Sequence, residues 1–146
     1  MWHDVDRTWA LHDPLFEAEA LDPEHAAGPW HGHRWFAYDL LRFRTPDLLV
    51  ELGAHYGVSF FALLQAIKDA QLATVAVAVD TWEGDPHAGL YGPEVLERFE
   101  GVRSAAFSSV EVVVKQATFA AALGDFDDES VDLIHIDGYH SYEAAK

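Results

Sequence analysis

An acidic residue and two glycines follow the first long apolar run of the chain. In "LLVELGAHYG" (residues 48–57), Glu51, Gly53 and Gly57 come directly after three apolar residues. A continuous apolar run of this kind predicts a strand that is buried on both faces of a parallel sheet. The glycines permit a tight loop or a close approach of the backbone to a ligand. The spacing E-x-G-x-x-x-G differs from the G-x-G-x-x-G loop that binds a dinucleotide pyrophosphate, which disfavours NAD and FAD. A solvated acid and a turn glycine are the alternative interpretation.

A second carboxylate, Asp80, ends the β-branched run "ATVAVAVD". A carboxylate at a strand end can accept two hydrogen bonds from the vicinal hydroxyls of a ribose, and it can equally cap a loop. The glycine loop and Asp80 together predict a site for an adenosine-bearing ligand that lacks a diphosphate. Trp82, two residues further on, is a candidate neighbour of an adenine ring or a packing anchor.

A histidine and a carboxylate lie close together in the last stretch, "VDLIHIDGYHSYEAAK". His135 and Asp137 are two residues apart on a predicted strand and therefore face the same side, while Gly138 breaks the strand. Such a pair suits proton abstraction or a hard metal ion. We assign His135 to packing, because interior strand positions usually serve packing, and Asp137 to function.

Predicted strands and helices alternate along the chain. The predicted elements are a helix in "HRWFAYDLLRF", a strand at 48–51, a helix at 58–70, the strand "ATVAVAVD", a helix through "EVLERFEGV", the strand "VEVVVK", a short helix in "ATFAAAL" and the strand "VDLIHID". This order predicts an α/β fold with a doubly wound, mostly parallel, Rossmann-like sheet. The strand-end acids Glu51, Asp80 and Asp137 should then converge on one crevice. Residues 1–33 are predicted to form an irregular lead-in with short helices, before a domain over 34–146.

The net charge and the lack of cysteine limit the kinds of ligand and binding surface that suit this chain. The chain has 25 acidic and 9 Lys or Arg residues, a formal net charge of -16. Such a field disfavours nucleic acid and membrane surfaces and fits a cationic or neutral ligand. The absence of cysteine excludes disulfides, thiolate metal sites and cysteine nucleophiles, and it agrees with a reducing compartment. The sequence has neither a signal pattern nor an apolar stretch long enough to span a bilayer, so we expect a cytoplasmic protein.

Three motifs together resemble class I S-adenosylmethionine-dependent methyltransferases, particularly the group associated with sugar and polysaccharide biosynthesis. They are "VELGAHYGVSF", "VAVDTWEGDPHAGLYG" and "VDLIHIDGYHSYEAAK", and the resemblance covers roughly residues 33–146. It implies a methyltransferase sheet that binds S-adenosylmethionine. The cofactor-binding residues implied by the resemblance are Glu51, Gly53, Ala54, His55, Gly57, Asp80, Thr81 and Trp82. Asp137 and His140 are the implied catalytic residues, and Asp137 is also the implied ligand of a divalent cation such as Mg²⁺.

The implied reaction is O-methylation of a hydroxyl on a small sugar-like or glycan acceptor. The family sheet has seven strands and this sequence predicts four, so we expect a domain truncated after the fourth strand and doubtful activity of the short chain alone. The exposed edge of the fourth strand is a candidate surface for association into a homo-oligomer. A non-catalytic module that binds an adenosine ligand or serves assembly is the alternative. A nucleotide-dependent oxidoreductase is a third hypothesis, which the glycine spacing disfavours.

Overall fold

A parallel four-stranded sheet forms the centre of the protein. The computed structural model describes residues 8–86 and 89–138. The strands are β1 Leu48–Leu52, β2 Val75–Asp80, β3 Gly84–Asp85, β4 Gly89–Leu90, β5 Val112–Gln116 and β6 Leu133–Ile136. The main sheet has the order β5-β2-β1-β6, and its three strand pairs are all parallel. The predicted α/β class and the four predicted strands are confirmed.

Helices precede and connect these strands. They are α1 Glu17–Leu21, α2 Pro23–Ala26, α3 Arg34–Arg44, α4 Val58–Asp69, α5 Glu94–Ala106 and α6 Phe119–Ala122, with 3₁₀ turns at Pro29–His33 and Leu123–Asp125. α3 ends at Thr45, which adopts a left-handed conformation just before Pro46. α6 begins where the Thr118 side chain accepts a hydrogen bond from the Ala121 N–H at 3.2 Å. None of the described helices is long and apolar enough to cross a membrane.

One face of the sheet carries most of the core. Leu49, Ala76 and Ala78 on this face are fully buried in a cluster that also contains residues of α3, α4 and α5. Phe61 of α4 stacks on Phe99 and Phe107, with ring centroids 4.9 Å and 5.5 Å away. Each such aromatic pair adds about 0.5–1.5 kcal/mol beyond area burial. α4 is buried on nearly every side, since each residue from Ser59 to Ile67 is buried.

The other face of the sheet has a thinner cover. Val50, Val77 and Val79 are buried there together with Ala122 of α6. Towards the edge, Ile134 and Ile136 of β6 keep 50% and 60% of their surface exposed. Association through the β6 edge stays a prediction.

The lead-in packs against the helices that follow it. The Lys68 ammonium of α4 lies 2.7 Å and 2.9 Å from the two carboxylate oxygens of Glu17 in α1. Asp22, between α1 and α2, accepts a hydrogen bond from Arg98 of α5 at 3.0 Å. The predicted short helices are present, and charged contacts from Glu17 and Asp22 hold the middle of the segment against α4 and α5. The domain boundary at residue 33 stays a prediction.

A pair of two-residue strands, β3 and β4, lies between β2 and α5, where the sequence predicted no strand. β3 and β4 pair in antiparallel fashion, with Gly84 opposite Leu90 and Asp85 opposite Gly89. Both glycines have positive φ angles of 86° and 85°. Two-residue strands are too short to produce an alternating pattern, so hydrophobic periodicity gives no sign of them.

Candidate functional site

A cavity of about 780 Å³ opens at the carboxyl ends of β1, β2 and β6. This is the place where open α/β sheets bind ligands, and the volume lies within the usual range for small-molecule pockets. The cavity is lined by His25, Gly28, Pro29, Trp30, Gly53, Ala54, His55, Tyr56, Val58, Ser59, Asp80, Thr81, Gly84, Asp85, Tyr91, Thr118, Phe119, Asp137 and Gly138.

The loop after β1 depends on its glycines. Gly53 has a φ of 92°, and a Cβ built on it would lie 2.7 Å from the backbone carbonyl carbon of Asp137 and from the Cα of Gly138. Gly57 has a φ of 84°, and a Cβ there would overlap the Phe61 ring. The loop therefore brings bare backbone against the end of β6 and leads directly into α4.

Asp80 joins the glycine loop to the end of β2. Its two carboxylate oxygens accept hydrogen bonds from the backbone N–H groups of His55, at 2.9 Å, and Trp82, at 2.8 Å. The residue is 8% exposed and lines the cavity. A carboxylate has about four acceptor positions, so these two bonds leave acceptor capacity for a ligand. Asp80 thus caps a loop, and its predicted contact with ribose stays a prediction.

Glu51 lies beneath the cavity. Its side chain is fully buried, and one oxygen accepts a hydrogen bond from the Ser59 hydroxyl at 2.7 Å. The other oxygen is 2.9 Å from Nδ1 of His135, its neighbour in the β1–β6 register. Burial raises the pKa of Glu51, and the hydrogen bond to Glu51 raises the pKa of His135. His135, which the sequence assigned to packing, is therefore a half-buried partner of this carboxylate.

The remaining predicted cofactor residues divide into two groups. Ala54, His55 and Thr81 line the cavity. Trp82 is 2% exposed, its indole N–H donates to the His55 carbonyl at 2.8 Å, and its ring packs 5.3 Å from that of Phe99. Trp82 is therefore a packing anchor, which is one of the two interpretations that the sequence left open for this residue.

The end of β6 supplies the third strand-end acid. The backbone N–H of Asp137 donates to the Leu52 carbonyl at 2.8 Å, and both Asp137 and Gly138 line the cavity. Asp80 and Asp137 therefore meet at one cavity, as the parallel topology predicted, whereas Glu51, the third acid of that prediction, is fully buried and is not among the residues that line the cavity. His140 lies outside the described residues. Within residues 8–86 and 89–138, no group of three His, Cys, Asp or Glu side chains is placed to hold a metal ion.

Sequence reasoning missed the aromatic walls of the cavity. His25, Pro29 and Trp30 come from the lead-in, and Tyr91 comes from the segment after the hairpin. Burial, followed by the nearby carboxylates of Asp80 and Asp85, raises the pKa of Tyr91 to about 12. The turn-forming pairs and aromatic residues of the lead-in were visible in the sequence, but no local pattern indicated that they fold back over the sheet.

Comparison with known proteins places this fold in a family. The sequence profile of the family described as "Methyltransferase domain" matches residues 50–146. The uncharacterized protein y4gI of Sinorhizobium fredii (strain NBRC 101917 / NGR234) is 41% identical over 136 residues. That alignment covers 93% of this chain and 14% of the relative, so the chain spans a small part of the curated relative it matches.

Solved methyltransferases share the fold at low sequence identity. The S-adenosylhomocysteine-bound methyltransferase PaMTH1 of Podospora anserina has a TM-score of 0.58 and 16% identity, over 86% of this chain and 51% of that chain. The O-methyltransferase TomG of Streptomyces achromogenes, solved with S-adenosylmethionine, has a TM-score of 0.59 and 14% identity, over 88% and 55%. These likenesses confirm the Rossmann-like methyltransferase sheet. Because the family profile covers more than half of its length, the chain belongs to the methyltransferase domain family.

Proposed function

We propose that the chain binds S-adenosylmethionine and forms part of an enzyme that transfers the cofactor's methyl group to a hydroxyl. One observation carries the proposal: the glycine loop after β1 and the Asp80 carboxylate after β2 meet at a single strand-end cavity. This arrangement occurs in a chain that the methyltransferase family profile matches from residue 50.

The residues present fit this cofactor. Gly53 lines the cavity, and its lack of a Cβ lets the loop pack against the backbone of Asp137 and Gly138, which brings the loop backbone to the place we assign to the methionine part. Asp80 has acceptor capacity for the ribose hydroxyls. The bound cofactor supplies an electrophilic methyl group on a positively charged sulfur. The carboxylates of Asp80, Asp85 and Asp137 around the cavity, and the net charge of -16, favour that positive charge.

Asp137 is our candidate for the group that acts on the acceptor. We assign to its carboxylate a hydrogen bond from the acceptor hydroxyl. The carboxylate would take the hydroxyl proton while the hydroxyl oxygen bonds to the methyl carbon and the bond from that carbon to sulfur breaks, which leaves S-adenosylhomocysteine. Holding the two reactants in line contributes to the rate of such a reaction. A sugar-like or glycan hydroxyl is the acceptor class we propose, as the resemblance implied. His140 remains a candidate for the same step.

Dependence on a divalent cation has less support. Asp137 is a hard oxygen ligand, but Mg²⁺ and Ca²⁺ sites combine several oxygens in fixed geometry. The part of the chain that the structure describes brings no group of three metal-binding side chains together. We therefore derive no step through a metal ion.

The experiment that tests this proposal pairs a change in the protein with a change in the ligand. Isothermal titration calorimetry would measure binding of S-adenosylhomocysteine and of its 2′,3′-dideoxy analogue to the wild-type chain and to Asp80→Asn. If Asp80 holds the ribose, removal of the hydroxyls should weaken binding to the wild type by about 1.5–3 kcal/mol, the range for hydrogen bonds to a charged group. The same removal should have little effect in Asp80→Asn.

Asp80 also accepts two backbone hydrogen bonds, so Asp80→Asn can disturb the loop as well as the contact with ribose. Comparing two ligands in both proteins separates these two effects. A disturbed loop in Asp80→Asn weakens the binding of both ligands equally, so this effect cancels when their binding free energies are compared. Equal loss on removing the hydroxyls in both proteins would contradict the assignment of Asp80 to the ribose.

A transfer assay separates the enzyme from a non-catalytic binding module. S-adenosylmethionine with a radiolabelled methyl group would be incubated with the chain and a panel of methyl glycosides, with and without Mg²⁺. Label transferred by the wild type and lost in Asp137→Asn supports catalysis. Tight binding of S-adenosylhomocysteine without transfer would contradict catalysis by this chain alone.

A further inference from the structure

Residues of the lead-in form one wall of the cavity, and the buried carboxylate of Asp22 holds this segment in position. Asp22 is 5% exposed, and its carboxylate receives Nη2 of Arg98 at 3.0 Å and Nδ1 of His25 at 2.9 Å. Burial raises the pKa of Asp22, but the hydrogen bonds from Arg98 and His25 outweigh it and hold the pKa below its usual value. Because an unpaired buried charge is strongly unfavourable, these contacts hold Arg98, Asp22 and His25 together.

This cluster fixes the orientation of an aromatic pair at the cavity. The His25 ring lies flat on the Tyr56 ring, with centroids 3.5 Å apart and an interplanar angle of 13°. Both residues line the cavity, and Tyr56 belongs to the glycine loop between Gly53 and Gly57. The lead-in is thereby coupled to the loop that we assign to the methionine part of the cofactor.

A second contact closes the wall on its other side. The Trp30 ring lies 5.5 Å from the His135 ring at 68°, and His135 is itself paired with Glu51. Trp30 also lines the cavity. The lead-in therefore contacts both the loop after β1, through His25 and Tyr56, and β6, through Trp30 and His135.

We propose that residues 22–30 form a preorganised wall of the cofactor site and that Arg98 is its positioning residue, acting through Asp22 and His25. The inference rests on the proposed function for the identity of the ligand. The wall lies outside residues 50–146, which match the family profile, so the family match does not assign it. A segment already ordered before binding spares the ligand the cost of ordering it.

The matched pair Arg98→Gln and Arg103→Gln tests the proposal. Both arginines lie on α5, but Arg103 pairs with Glu100 of its own helix and does not touch the lead-in in the described contacts. Calorimetry should show that Arg98→Gln binds S-adenosylhomocysteine about 5- to 150-fold more weakly than the wild type, as expected when two side chains must be ordered on binding. Arg103→Gln should stay within about twofold, the usual effect of a distant surface change. Arg98→Lys keeps a cation beside Asp22 and should recover most of the loss.

A second readout does not need a ligand. The ring protons of His25 lie over the face of Tyr56, so their NMR shifts carry the ring current of the tyrosine. Arg98→Gln should move these shifts towards free-histidine values, and Arg103→Gln should leave them unchanged. If Arg98→Gln and Arg103→Gln bind S-adenosylhomocysteine with the same affinity, the proposal that Arg98 positions a wall of the cofactor site is wrong. A wild-type chain that binds no S-adenosylhomocysteine would overturn the proposed function instead, and the NMR shifts would still show whether Arg98 orients His25.

Discussion

Gly53→Ala tests the geometry of the glycine loop most sharply, since one methyl group introduces two separate costs. The φ of 92° places an alanine in a conformation that costs about 1–3 kcal/mol. The new Cβ also lies 2.7 Å from backbone atoms of Asp137 and Gly138, and backbone cannot rotate away as a side chain can. Forcing extra volume into a packed site costs about 1–3 kcal/mol more. We expect a total loss of roughly 2–6 kcal/mol in unfolding free energy.

Two other glycines serve as controls, and urea denaturation is the assay. Gly89 has a φ of 85°, but a Cβ there meets nothing within 4 Å, so Gly89→Ala should show the conformational cost alone. Gly101 lies within α5, where a Cβ again meets nothing, and Gly101→Ala should stabilise the protein by about 0.5–1 kcal/mol. Gly53→Ala should also weaken binding of S-adenosylhomocysteine.

The comparison between Gly53→Ala and Gly89→Ala decides the reasoning. If both lose the same unfolding free energy, the close approach of Gly53 to the end of β6 makes no contribution. If Gly53→Ala is as stable as the wild type, the described loop geometry is wrong.

The other predictions concern the Glu51–His135 pair and the aromatic core. Glu51→Gln should lower the pKa of His135, measured by NMR titration, because the hydrogen bond to Glu51 raises it; an unchanged pKa would contradict the pairing. Folding raises the pKa of both partners, so each contributes stability at low pH. The contribution of Glu51 is full below about pH 4.5 and is lost as the pH rises through its folded pKa, and that of His135 is full below about pH 6.5 and is lost as the pH rises through the folded pKa of His135. The unfolding free energies of wild type and His135→Gln should therefore converge at pH values above the folded pKa of His135. A difference that grows with pH would contradict this direction of the pH dependence. Phe61→Ala should cost about 3–5 kcal/mol in urea denaturation, and Phe61→Leu clearly less; equal losses would show that the aromatic stacks contribute little.

Convergence of the strand-end acids was predictable because it follows from topology. Alternating strands and helices predict a parallel sheet, and a parallel sheet places all carboxyl ends on one edge. Asp80 and Asp137 reach the cavity for this reason, whereas Glu51 is fully buried beside Ser59 and His135 and does not line it. The glycine at 53 was equally readable, because a glycine after a buried strand signals close backbone approach.

The details that the sequence did not reveal depend on residues far apart in the chain. Glu51 faces His135 only because β1 and β6 pair in a particular register, across 84 positions of sequence. Trp82 belongs to the core because α5 brings Phe99 against it. The lead-in wall requires Arg98 to reach back to Asp22, 76 positions away. Local pattern carries no information about such pairings.

The most direct test of the central claim is a calorimetric titration of the wild-type chain with S-adenosylhomocysteine and, as a matched ligand, NAD. Both ligands carry an adenosine, and they differ in the diphosphate that the loop between Glu51 and Gly57 lacks the spacing to bind. The account predicts saturable binding of S-adenosylhomocysteine at one site and much weaker binding of NAD. No binding of S-adenosylhomocysteine, or equal affinity for NAD, would contradict it.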